Sequence, residues 1–151
     1  MNLKASEIQK LRIKEIEDNA NELLSNCNIL FVTSIYENGY PRTCCVSKAK
    51  ANDFHDIYYV TSKRSEYQGK AKHFESNTKS SICYQKDGNS VTLVGNVEFV
   101  EDKQIQQSIW NESDRMFFSK GINDPKFRLI KFHTIEATFW INGKFRTVKY
   151  K

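Results

Sequence analysis

Two short stretches hold the side chains best suited to gripping an anion. One is a run of small and polar residues, Arg42, Thr43, Cys44 and Ser47; the other ends Tyr59-Val60-Thr61-Ser62. A basic segment follows the second at once, with Lys63, Arg64, Lys70, Lys72 and Lys79 set against only Glu66 and Glu75. Hydroxyls and strand-end amides bind phosphate oxygens, and Lys or Arg supplies the opposing charge. Trp110 and Trp140 add flat surfaces on which a planar ring can stack. Together these residues point to a planar, phosphorylated ligand without selecting one. Singly, each has a plainer reading. Arg42 alone reads as an exposed strand residue, Lys70 as a helix-surface charge, Thr61 and Ser62 as loop caps, and both tryptophans as packing residues.

Other chemistries lack their residues. The chain has no nucleophile elbow, Walker loop, paired-carboxylate motif or metal cluster. Its four cysteines (Cys27, Cys44, Cys45, Cys83) show no C-x-x-C spacing and read as reduced thiols, mostly small core residues. Adjacent Cys44 and Cys45 point to opposite faces of a strand and rarely make an unstrained disulfide. His55, His73 and His133 stand far apart, so no zinc site is expected, and His73 and His133 read as structural or solvent-facing.

The elements that must position the anion-binding residues are mostly strands. Residues 6–25 read as a helix, with Ser6 and Gln9 as a capping box and Ile8, Leu11, Ile16, Ala20, Leu23 and Leu24 at helical period. Strands are predicted over residues 29–36 and 40–50, joined by Asn38-Gly39 as a type I′ hairpin, and over 57–62. A loop then leads into a short helix with Lys70 and Phe74. SSICYQ and SVTLVGNVEFVED form a second hairpin around Asp87-Gly88, and residues 102–119 return to helical spacing. FRLIKFH, TIEATFWI and, after Asn142-Gly143, KFRTVKY finish the chain as three strands. About seven mostly antiparallel strands with two or three interleaved helices argue for a small barrel plugged or flanked by helices.

A length of 151 residues makes one domain, spanning 1–151, the sensible count. A domain of that size buries roughly 70% of the surface its unfolded chain exposes. With 39% hydrophobic and 27% charged residues, the composition is globular rather than disordered or collagenous. No apolar run approaches a membrane span. The opening MNLKASEIQKLRIKEIEDN alternates charges without an apolar core, so no signal peptide is expected and the location is read as cytoplasmic. The net charge of +5 is uneven: residues 126–151 carry +6, and the rest of the chain −1. Such an excess suits nucleic acid or a phosphorylated small molecule, and its plain reading is a solvated face.

Taken in order, NGYPRTCCVSK, IYYVTSKRSEYQGKAKHFESNTKSSICYQKDGN, VTLVGNVEFVED, IWN and DPKFRLIKFHTIEATFW resemble the pyridoxamine 5′-phosphate oxidase-like superfamily. The likeness is strongest to its short bacterial general-stress-protein branch and runs from about Asn28 to Lys144. The ordered series "G-x-P-R", "Y-x-T-S", "K-x-x-x-F-x-x-N" and "A-T-F-W" carries it. The resemblance implies a split β-barrel of the FMN-binding type, mainly β with flanking helices, dimerising so that two FMN molecules bind in interface clefts. It implies that Arg42, Thr43, Cys44, Cys45 and Val46 line the flavin, largely through backbone groups. It implies further that Val60, Thr61 and Ser62 meet the ribityl phosphate, with Lys70 pairing to it. Ser90 falls where the family often has a polar residue near the ring, and Trp140 where it has a flavin-side Trp.

The chain also departs from the family pattern. The phosphate-binding Lys usually follows the Thr more closely than Lys70 follows Thr61, which leaves Lys63, Arg64 and Lys70 as alternatives. Asn77-Thr78 replaces the family's "N-P". Pyridoxamine-phosphate oxidases proper carry an Arg-x-His motif after the late Trp, whereas here KFRTVKYK supplies Arg146 and no His. Vitamin B6 oxidation is therefore not expected. The resemblance implies a homodimeric FMN-dependent oxidoreductase drawing hydride from a nicotinamide or small organic donor. The alternatives are a non-catalytic flavin or planar-cofactor binding stress protein and, more weakly, a nucleic-acid-binding module using the basic C-terminal strand.

Overall fold

The computed structural model describes residues 2–63 and 70–151. Seven antiparallel strands form one sheet: β1 (Ile29–Ile35), β2 (Pro41–Asp53), β3 (Asp56–Ser62), β4 (Lys79–Lys86), β5 (Asn89–Phe99), β6 (Phe127–Ile141) and β7 (Lys144–Lys149). Their order is β3-β2-β1-β4-β5-β6-β7, and an added β3–β6 pairing closes the first six into a barrel. Among the described residues three α-helices accompany them, α1 (Ala5–Ser25), α2 (Lys70–Ser76) and α3 (Lys103–Ile109), with 3-10 turns at Glu112–Met116 and Gly121–Asn123. The fold is the split barrel with helices that the sequence predicts.

Alternation fills the barrel. Leu30, Val32, Ile57, Tyr59, Ile82, Tyr84, Val91, Leu93, Phe132 and Phe139 point inward and are fully buried. Helix α1 joins this core through Ile16, Ala20 and Leu24, one residue per turn. The Tyr84 hydroxyl donates to the Ala20 carbonyl at 3.1 Å, and Asn21 Oδ1 accepts from the Phe54 amide at 2.9 Å. The expected core face of this helix is only half realised, since Ile8 and Leu11 are exposed. Its start also differs: Lys4 is the N-cap, and Glu7 rather than Gln9 reaches back, accepting from the Lys4 amide at 2.8 Å.

Strand β6 serves two partners on one edge. Its first half, Phe127–His133, pairs with β3, and its second half, Glu136–Ile141, pairs with β7. A bulge opposite Val94 and Gly95 marks the switch. There the Thr134 amide donates to His55 O (2.9 Å), Thr134 Oγ1 to Phe54 O (2.6 Å) and the Tyr150 amide to Ile135 O (2.7 Å), so the strand changes partners with its polar groups satisfied. A Cβ on Gly95 would lie 1.9 Å from the His133 carbonyl oxygen. FRLIKFH and TIEATFWI are thus one bulged strand rather than the two expected, and the final group holds two strands, not three.

Two further expectations are corrected. Asp87-Gly88 and Asn142-Gly143 both have positive φ at each residue, as type I′ turns require. Asn38-Gly39 does not: only Gly39 is left-handed, and Tyr36 and Tyr40 close a three-residue loop. The helical spacing over 102–119 breaks after Ile109, because Asn111 accepts from the Ser113 amide and caps a separate 3-10 turn. The cysteines are also less buried than expected. Cys27 alone is a core residue; Cys44 and Cys83 are half-buried, Cys45 is exposed, and all four are free thiols.

Candidate functional site

The barrel splits between β2 and β3. Their pairing runs from Asp53–Asp56 only as far as Lys48–Tyr59. Beyond that point Pro41–Ser47 pairs with β1 alone and Val60–Ser62 with β6 alone, so two strand edges face one another unpaired. A cleft of about 840 Å³ opens there, lined by Cys45–Ala49 of β2 and Val60, Thr61 and Ser62 of β3. The far wall comes from the segment after α3, with Ile109, Met116, Phe117 and Phe118 as its apolar part and Asn111, Ser113 and Asp114 as its polar part. A small second core of Val100, Phe118, Phe127 and Leu129, with Tyr58, Val60 and Trp110 against it, fixes this segment to the outside of β3 and β6.

Among the described residues two ammonium groups reach the cleft. Lys70 comes from the first turn of α2, with Nζ donating to Cys44 Sγ at 2.7 Å. Lys126 is held beside β3 because the Lys63 amide donates to its carbonyl at 2.8 Å, and its side chain makes no ion pair among the described residues. Three other nearby lysines among the described residues are committed elsewhere. Lys63 pairs with Glu75 at 2.9 Å, holding that carboxyl below its usual range, and Lys72 pairs with Glu37 at 3.3 Å. Lys48 lines the cleft but its ammonium donates to the Leu24 carbonyl at the C-terminus of α1, and burial pushes its pKa down.

Six of the eleven expected site residues line this cleft: Cys45, Val46, Val60, Thr61, Ser62 and Lys70. Cys44 touches it through Lys70. Thr43 points elsewhere, its hydroxyl 2.8 Å from that of Thr33, and Arg42 lies over the Tyr36 ring at 5.9 Å. Ser90 and Trp140 face each other across β5 and β6, and Trp140 packs edge-on to Phe145 outside the cleft. Of the three candidate phosphate lysines or arginine, Lys63 is paired, Lys70 faces the cleft, and Arg64 lies outside the described residues. Sequence reasoning missed Lys126, counted only as part of a basic tail, and the wall at Met116 and Phe117. Two large apolar residues in so polar a stretch were the available signal.

The histidines, and Arg128 and Lys131 of the basic tail, make their contacts outside the cleft. His73 is buried, hydrogen-bonded to Ser34 Oγ at 2.7 Å, and exposed His133 bonds Asp56 at 2.9 Å. Arg128 donates to the Pro125 and Phe127 carbonyls, and Lys131 lies over the Tyr58 ring. Among the described residues no helix is long and apolar enough to cross a membrane.

One more surface bears on the cleft. Phe31 sits between Cys45 and Cys83 on the outer face of the sheet, and Ile29, Val94, Trp140 and Phe145 share that face, all exposed. Cys45 belongs to both surfaces, so the cleft opens at the border of an apolar sheet face.

A split antiparallel barrel with a helix on one end and a cofactor-sized cleft where two strands part defines the class. The family described as pyridoxamine 5′-phosphate oxidase like matches residues 15–150, and the chain belongs to it. Among solved structures, it is similar to a protein from Clostridium acetobutylicum related to general stress protein 26 (TM-score 0.77, 21% identity, 89% of this chain and 94% of that one). General stress protein 26 from Bacillus anthracis aligns with TM-score 0.71 at 18% identity, over 88% of this chain and 98% of that one. A heme binding protein from Mycobacterium smegmatis aligns with TM-score 0.70 at 12% identity, over 89% of this chain but 58% of that one. Comparison with curated proteins yields no sequence match.

Proposed function

We propose that the protein binds FMN in the cleft between β2 and β3 and acts as a homodimeric FMN-dependent oxidoreductase. The observation that carries this reading is the meeting of Lys70 and Lys126 with Thr61 and Ser62 in one cleft that also has an apolar wall. The donor set fits the group. A phosphate monoester carries about two negative charges near neutral pH, and two ammoniums plus two hydroxyls answer them. Met116 and Phe117 suit an aromatic ring, and the free edge of β2 at Cys45–Ser47 suits the donor and acceptor edge of that ring. When bound, the flavin supplies the hydride chemistry.

The chain's own work is then binding and positioning. Lys70 and Lys126 neutralise the phosphate, Thr61 and Ser62 orient it, and the wall at Phe117 and Phe118 excludes water. The apolar outer face supports the dimer, because burying Phe31, Trp140 and Phe145 against a second copy removes exposed aromatic surface from water. The electron donor is read as a nicotinamide or small organic molecule. Vitamin B6 oxidation is not proposed, since no His follows Arg146 in the expected place.

A second reading, a planar cofactor held without turnover, is favoured by the fold likeness to a heme-binding protein.

Absorbance spectra of the protein loaded with FMN and desalted test the reading, with a retained flavin band expected. No retention at near-saturating FMN overturns it. Bleaching by NADH or NADPH, with colour returning in air, separates turnover from storage. Replacing Lys70 and Lys126 together by Ala is expected to weaken FMN binding at least about 100-fold, since each charge-assisted hydrogen bond is worth about 1.5–3 kcal/mol. Wild-type affinity in that double variant would refute the site.

A further inference from the structure

The contact between Lys70 and Cys44 has a chemical consequence of its own. Nζ and Sγ are 2.7 Å apart, and both residues are half-buried at the head of α2 and the open edge of β2. Among the described residues the Cys44 thiol makes one other hydrogen bond, a long one of 3.9 Å to the Val32 carbonyl, and it accepts from Lys70. The remaining thiols are placed differently. Cys27 is buried, donates to Gln85 O and is pushed up in pKa by burial, while Cys45 and Cys83 flank Phe31 on the outer face. Cys44 is thus the thiol that the fold holds in contact with a nucleophilic nitrogen.

We propose that peroxide oxidation joins Cys44 to Lys70 covalently through a sulfur–nitrogen bond. In the first step the Cys44 thiolate attacks one oxygen of hydrogen peroxide and the O–O bond breaks. Sulfur loses two electrons and becomes a sulfenic acid, while peroxide gains them and leaves as water. In the second step Lys70 Nζ, having given its ammonium proton to solvent, attacks the same sulfur. The S–N bond forms, the S–O bond breaks, and hydroxide leaves with the amine's proton as a second water. One thiol, one amine and one peroxide give one sulfenamide and two waters. Backbone nitrogens are known to trap sulfenic acids in this way. A lysine amine is the better nucleophile, and here it starts within the near-attack separation of about 3–3.5 Å.

The product removes a cation from the cleft. A sulfenamide nitrogen is uncharged at neutral pH and tethered to β2, so it no longer answers a phosphate. Oxidation therefore weakens anion binding and reduction by a thiol restores it. This consequence rests on the phosphate-end reading of the cleft, whereas the cross-link itself does not.

Peptide mass spectrometry of the full chain, treated with hydrogen peroxide and digested without reductant, tests the link. The Cys44 and Lys70 peptides are expected joined, with a combined mass lower by two hydrogens, and dithiothreitol should separate them. Cys44→Ser and Lys70→Arg should each abolish the link, and Cys45→Ser should leave it. The proposal is overturned if Cys44 only gains oxygen while Lys70 stays free, if the link survives Cys44→Ser, or if the joined peptides retain an oxygen atom. FMN titration of oxidised against reduced protein reads the consequence, with about tenfold weaker binding expected. A cross-link that leaves FMN affinity unchanged supports the chemistry and removes Lys70 from the phosphate site.

Discussion

Tyr59 and Tyr84 are both fully buried in the barrel, yet their hydroxyls are treated differently. Tyr84 donates to the Ala20 carbonyl and so ties α1 to the barrel, whereas Tyr59 Oη has no hydrogen-bond partner among the described residues. A buried hydroxyl without a partner costs about 1–3 kcal/mol, and a satisfied one contributes about 1 kcal/mol. Tyr59→Phe is therefore expected to raise the urea midpoint and Tyr84→Phe to lower it, each by an amount worth about 1 kcal/mol. Equal losses in both would show that Tyr59 is satisfied. Burial also pushes both phenols well above the ordinary tyrosine value. Above pH ~10 the unfolded chain gives up these protons and the folded chain keeps them, so stability falls with rising pH. The fall should approach 1.4 kcal/mol per pH unit for each tyrosine, and denaturation curves between neutral pH and pH ~11 would measure it. A slope unchanged in Tyr84→Phe would refute that assignment.

The strand that carries most of the architecture is β6, and one glycine lets it do so. Gly95 lets the bulge at Thr134 and Ile135 press the His133 carbonyl against β5, and the bulge lets β6 leave β3 for β7. Gly95→Ala places a methyl 1.9 Å from that oxygen and must move backbone, so a loss of at least about 1–3 kcal/mol is expected in urea denaturation. A variant within about 0.5 kcal/mol of wild type, the size of an ordinary surface change, would show that the bulge relaxes freely. The cleft arises in the same way, from where strand pairing ends rather than from any special side chain. Once β2 and β3 part at Lys48 and Tyr59, the residues beyond them, Cys45–Ser47 and Val60–Ser62, become a site.

The molecule presents a sheet face on which exposed Phe31, Trp140 and Phe145 stand among threonines, and its cleft opens at the edge. Exposures of 37% for Phe31, 49% for Trp140 and 64% for Phe145 are high for aromatics on one continuous surface. If two copies meet there, light scattering at micromolar concentration should give the mass of a dimer. Phe31→Glu combined with Trp140→Glu should give a monomer with reduced FMN retention. A wild-type monomer that holds FMN fully would separate the cleft from the face and refute the shared site.

Patterning in the sequence determined a helix-flanked barrel of mostly antiparallel strands and two of its hairpin turns. These follow from period-two alternation and from Asp-Gly and Asn-Gly pairs, which act over a few neighbouring residues. The segments that supply Thr61, Ser62 and Lys70 were legible because hydroxyls and amines cluster beside a strand end. Only the tertiary structure decided which lysines are free. Lys48, Lys63 and Lys126 look alike in sequence, but Leu24 and Glu75 occupy the first two, and those partners come from α1 and α2. Nor does spacing reveal that Arg42 lies over Tyr36, that Phe117 faces β2, or that Cys44 meets Lys70. Each depends on contacts between residues distant in the chain, where packing and the point at which two strands separate override local preference.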